Sequence, residues 1–122
     1  MRYFKPSEFD CPDCGENRMD FDFLEMLITA RSYADIPFVI TSGYRCEKHN
    51  KKVGGSKTSS HLIGKAADIY CPDVKTRFRI VYGLIQAEFT RIEHGKNYIH
   101  TDTDPAKEPE IMSFSKTLCG RR

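Results

Sequence analysis

The chain has 122 residues, 39% hydrophobic and 30% charged, which suits one globular domain with a real core and leaves little room for a second. Lys plus Arg exceed Asp plus Glu by only 19 − 17 = 2, and no basic block is interleaved with aromatics, so composition argues against a nucleic-acid partner. No run is long enough to cross a bilayer, and the first six residues, Met1 to Pro6, lack the apolar stretch of a secretion signal; the chain is expected to be made and kept in the cytosol.

The N-terminal segment, residues 1–19, carries Cys11-Pro12-Asp13-Cys14-Gly15, whose spacing lets two thiolates converge while amides of the turn bond to sulfur. Five cysteines without a secretion signal argue against a disulfide framework. Cys11 and Cys14 are therefore candidate ligands of a second, structural zinc. Cys46, Cys71 and Cys119 can complete it only if the fold brings them near, and the alternative is a set of free thiols.

Asp20 is a plausible cap, and Phe23, Leu24, Leu27, Ile28 and Ala34 recur at helical spacing, which predicts an amphipathic helix over about 20–34. Ile36 to Thr41 is β-branched and aromatic and reads as a strand that runs into the turn Ser42-Gly43-Tyr44-Arg45. A short polar helix is predicted from Cys46 to Val53, then a loop over 54–60 that delivers His61. Lys65 to Cys71 reads as a strand ended by Pro72. Asp73 then caps a second helix, with Val74, Phe78, Val81, Tyr82, Ile85 and Phe89 as its core side. Thr90 to Glu93 and Tyr98 to Thr103 form a hairpin across His94-Gly95-Lys96-Asn97, and Ile111 to Ser115 is a third extended segment within the C-terminal strand and tail, 106–122. The mixture lacks strict βαβ alternation, so the expected class is α+β: a small, largely antiparallel sheet with helices packed mainly on one face.

Three residues in this frame have the chemistry of an open metal site. His61, Asp68 and His100 offer two imidazoles and one carboxylate, a set that leaves a coordination position for water and points to zinc and to hydrolysis. Strand alternation puts His100 with Tyr98 and Asp102 on one face, and Asp68 with Ala66 and Tyr70 on one face of its own strand, so neighbouring strands would bring Asp68 and His100 together.

Ser42-Gly43-Tyr44-Arg45, His49-Asn50, Val53-Gly54-Gly55, Ser59-x-His61-x-x-Gly64-x-Ala66-x-Asp68 and Ile99-His100-x-Asp102 occur in an order that resembles the zinc D-alanyl-D-alanine carboxypeptidase family. That family includes a phage endolysin branch and the related vancomycin-resistance dipeptidases, and the likeness covers about residues 20–105. It implies a hedgehog/D-Ala-D-Ala peptidase type of fold and a zinc enzyme acting on peptidoglycan stem peptides. His61, Asp68 and His100 would be the zinc ligands, with Arg45 reaching into the active site. With no leader and no wall-binding module, such a chain suits a lysin that reaches the wall after release. Several members of the family carry an acidic residue three positions before the last ligand, where this chain has Asn97. An amide cannot take a proton from water, so the general base falls to Asp102 first and Glu93 second, with His94 also across the hairpin. Asp102 is equally suited to be the partner that orients an imidazole. Asn97 also supports a second reading, a non-catalytic zinc module that binds a wall peptide or a protein partner. Oligomeric state and the bond cut are left open by the residues.

Overall fold

The structure, a computed structural model, describes residues 4–114. Cys119 and Ser115, the last residue of the predicted third extended segment, lie outside them. Helix α1 spans Phe21–Ala34 and starts where the Asp20 carboxylate accepts the Phe23 amide at 2.9 Å. Phe23, Leu27, Ala30 and Ala34, three or four residues apart, are its buried stripe. It stops at Asp35, which takes a left-handed conformation two residues before Pro37.

Strand β1 is only Ile40–Ser42, shorter than the expected 36–41, because Pro37 has no N–H to give a ladder. Its pairing with β2 (Ala66–Tyr70) shifts register, Ile40 facing Ile69 but Ser42 facing Asp68. This irregularity bends the chain so that the turn after Ser42 passes over Asp68. Helix α2 is Glu47–Lys52, capped by Cys46. A 3-10 turn, Ser60–Ile63, begins at the last residue of the expected loop and carries His61.

Helix α3, Val74–Gln86, is capped as predicted, Asp73 accepting from the Thr76 amide at 2.7 Å. Its buried side, however, is Ile80, Gly83 and Leu84; Val74, Phe78, Tyr82 and Ile85 are exposed, which corrects the core side expected for this helix. Phe89 is buried, but beyond the helix end, and Val81 is partly buried. The reason is the close approach to α1: a Cβ on Gly83 would lie 2.3 Å from the Ala30 carbonyl oxygen and 2.8 Å from the Ala34 Cβ. The small residues decide which side of α3 docks, and a count of large apolar residues does not register them.

Strands β3 (Arg91–His94) and β4 (Tyr98–Asp102) form the expected hairpin, and β5 is Glu110–Phe114. The sheet order is β1-β2-β4-β3-β5, antiparallel except for the parallel β3–β5 pair. The class is thus α+β with a mixed, mainly antiparallel sheet. Register separates the two faces: Ala67 and Ile69 of β2, Ile99 and Thr101 of β4 and Ile92 of β3 share one face, and the apolar members of this set join α1 and α3 in the core. The other face carries Asp68, His100 and Glu93 in one row, with Ala66 and Asp102 in the next.

Candidate metal centre

Asp68 and His100 are direct partners across β2 and β4, so their side chains leave the sheet side by side. His61 reaches the same place from the 3-10 turn, whose first residues are held by the Ser59 hydroxyl accepting the His61 amide at 3.2 Å. Ser60 fastens that turn to the segment after β4 by donating to Asp104 at 2.8 Å, and Lys107 donates to Ser60 at 2.8 Å.

Protons fix the direction of each imidazole. His61 Nδ1 is 2.7 Å from the Gly43 carbonyl oxygen, which can only accept; Nδ1 therefore carries the hydrogen. Burial holds the His61 pKa below its ordinary value, so the ring stays neutral with a lone pair on Nε2, 3.3 Å from Asp68 Oδ1. His100 is held from behind by Asp102, with Nε2 to Oδ2 at 2.7 Å, and its Nδ1 is 2.9 Å from the same Asp68 Oδ1. Burial opposes charge on His100, but hydrogen bonds to Asp102 and Asp68 outweigh it and push its pKa up to about 9.

One ligand atom from each of His61, Asp68 and His100 lies within 4.8 Å of the others. These are electron-pair donors aimed at one point, an arrangement that repels itself unless a cation lies there. In the metal-free protein the extra proton of His100 serves; a divalent ion fits the same donors. Each imidazole also has its other nitrogen anchored, as metal-ligating histidines require. Residues 42–50 add a positive wall. Arg45 is buried, its Nε donating to Ser42 Oγ at 3.1 Å, Nη1 to Asn50 Oδ1 at 3.2 Å, and Nη2 lying 3.5 Å from Asp68 Oδ2.

A sequence model of the family described as Peptidase M15 matches residues 2–102. The chain belongs to the peptidase M15 family. No curated protein matches it. Membership makes it a hydrolase of the metallopeptidase kind, and the order of motifs along the chain agrees with that assignment.

Within this M15 domain the candidate proton acceptors sit in different surroundings. Asp102 is buried with both oxygens engaged: Oδ1 accepts from Arg91 Nε at 2.9 Å and from the Asp104 amide at 3.2 Å, and Oδ2 faces His100. That geometry suits the orienting role weighed for Asp102. Glu93 is the cross-strand partner of His100 on β3, and its side chain keeps 32% exposure beside Arg91, 3.4 Å away. Asn97 is exposed in the hairpin turn, its carbonyl accepting the Cys71 amide at 2.9 Å. His94 turns to α3, where Arg77 donates to its Nδ1 at 2.9 Å.

The supporting residues of this M15 site were only partly visible in the sequence. Asn50 belongs to a motif of the resemblance, but its grip on Arg45 needs Gly55, where a Cβ would fall 2.0 Å from Asn50 Oδ1. Ser60, Asp104 and Lys107 carried no sequence signal beyond their polarity. Cys11, Cys14 and Cys46 gather into a separate cluster, whereas Cys71 lies elsewhere, its thiol 3.6 Å from the Asp73 carbonyl oxygen.

Proposed function

We propose that the chain is a zinc peptidase that cuts peptidoglycan stem peptides, as a D-alanine carboxypeptidase or as an endopeptidase. The observation that carries this reading is the convergence of His61 Nε2, Asp68 Oδ1 and His100 Nδ1, each imidazole anchored at its far nitrogen. Two imidazoles and a carboxylate suit zinc with an open position; zinc bound there supplies a Lewis acid for a scissile carbonyl and lowers the pKa of water toward neutrality.

The chain's own groups supply the rest. Arg45 is held rigid by Ser42 and Asn50, so its guanidinium is ordered before substrate arrives and suits a substrate carboxylate or the developing oxyanion. In this reading Glu93, the half-buried cross-strand partner of His100, takes a proton from the attacking water and returns it to the leaving amine. Asp102 keeps His100 turned so that Nδ1 faces Asp68. The peptide substrate follows from the motif order shared with D-alanyl-D-alanine carboxypeptidases and endolysins.

The test is hydrolysis of purified peptidoglycan, read as new amino groups. Release that stops with a chelator and with His61→Ala is expected. Stoichiometric zinc binding and wall-peptide binding without cleavage would overturn the enzymatic reading in favour of a non-catalytic module.

A further inference from the structure

We infer that Cys11, Cys14 and Cys46 hold a second, structural metal ion of the zinc type, which ties the N-terminal segment to the turn that presents Arg45. The three sulfurs all lie within 4.8 Å of one another, with Cys11 Sγ and Cys46 Sγ 3.6 Å apart across 35 residues of chain. The local backbone is built around sulfur. The Cys46 amide donates to Cys11 Sγ at 3.5 Å, and the His49 amide donates to Cys46 Sγ at 3.5 Å. The Cys11 carbonyl accepts the Gly15 amide at 2.8 Å, closing the CxxCG turn, with Gly15 at φ +73°.

Amides aimed at sulfur stabilise a thiolate, the form that ligates metal. A disulfide between Cys11 and Cys46 would use two of the three sulfurs, strand Cys14 and weaken those acceptors. Structural zinc takes four ligands. His49 is engaged by Asp13, Nδ1 to Oδ2 at 3.0 Å, and a water completes the set.

The placement gives the ion a purpose at the other site. Cys46 directly follows Arg45 and caps α2, the helix that carries Asn50, which accepts from Arg45. On the other side of Arg45, the Tyr44 amide donates to the Phe9 carbonyl at 2.9 Å, just before Cys11. Bridging Cys11 and Cys14 to Cys46 therefore clamps the arginine's turn from both sides.

Metal analysis of the full chain, purified under reducing conditions and freed of excess zinc, is expected to find two zinc ions per chain. His61→Ala is expected to keep one. The cobalt-loaded His61→Ala protein should show sulfur-to-cobalt charge-transfer absorption, and adding Cys14→Ser, at an exposed side chain, should abolish it. Cys46→Ser should do the same, and Cys14→Ser keeps the test intact if Cys46→Ser fails to fold. In the His61→Ala protein, Cys11, Cys14 and Cys46 should resist alkylation until a chelator is added. A His61→Ala protein without the sulfur band, or a Cys11–Cys46 disulfide in the reduced preparation, would overturn the inference. A peptidase that proves inactive leaves it standing, because these readouts do not pass through the His61 site.

Discussion

Asp68 stands between three nitrogen-bearing groups, with His61 and His100 on Oδ1 and Arg45 toward Oδ2. Burial favours its acid form, but His61 and His100 outweigh it, so its carboxyl is held well below the usual range. Two substitutions separate the roles around it. Asp102→Asn is expected to weaken zinc binding by ~10–100-fold, because it disturbs the anchor of His100. Glu93→Gln is expected to leave zinc affinity unchanged and lower kcat by about 10²–10⁴-fold. Zinc titration together with steady-state kinetics checks both; a Glu93→Gln enzyme of full activity would remove Glu93 as the base. The metal-free protein should also show a pH signature. His100 has a folded pKa of about 9 against an ordinary 6.5, so it adds stability below 6.5 that is lost as pH rises through about 9. His61, shifted the other way, subtracts stability as pH falls below 6.5. Denaturant midpoints in the presence of a chelator should therefore fall from 6.5 toward alkaline pH, and zinc loading near neutral pH should release the His100 proton, read with an indicator in weak buffer.

Elements show where pattern and packing part company. Capping was legible in the residues: Asp20 and Asp73 stop the preceding extended chain and start α1 and α3 where expected. The docked side of α3 was not, since two apolar stripes run along it and only contact with Ala30 and Ala34 of α1 selects the one containing Gly83. Val74 is 82% exposed and Phe78 63%, while Ile80 is fully buried. Ile80→Ala is thus expected to destabilise the fold by about 2–4 kcal/mol, and Phe78→Ser by no more than ~0.5 kcal/mol. Urea unfolding of the two variants tests this; equal losses would contradict the observed face. The register shift between β1 and β2 was equally hidden, because it depends on how Ile40 and Ser42 meet their partners across the sheet.

At the scale of the molecule, the sheet divides labour between its faces. The side shared by Ala67, Ile69, Ile92 and Ile99 closes the core with α1 and α3, and the opposite side holds Asp68, His100 and Glu93 in one row. Among the described residues no helix is long and apolar enough to cross a membrane. The candidate ligands come from a 3-10 turn and two strands, so a metal held by them is a cross-link of the native state alone. Free zinc at 100 times its dissociation constant should stabilise the fold by about 2.7 kcal/mol, a gain that a chelator removes. Thermal unfolding of the wild type and His61→Ala, each with and without chelator, measures it, and a smaller chelator effect in His61→Ala is the expected outcome.

What the chain determined by itself was local or periodic: the helix caps, the hairpin over 94–97, the α+β class, and a motif order that marks an M15 peptidase. Alternation along β2 and β4 even put Asp68 and His100 on the faces where they meet. Tertiary structure decided whatever depends on a partner distant in sequence. It turned Asp102 inward onto Arg91 and His100, set Glu93 opposite His100, and brought Cys46 to Cys11. Spacing carries information about one segment's periodicity, whereas the state of a carboxylate or a thiol depends on which distant groups share its low-dielectric surroundings.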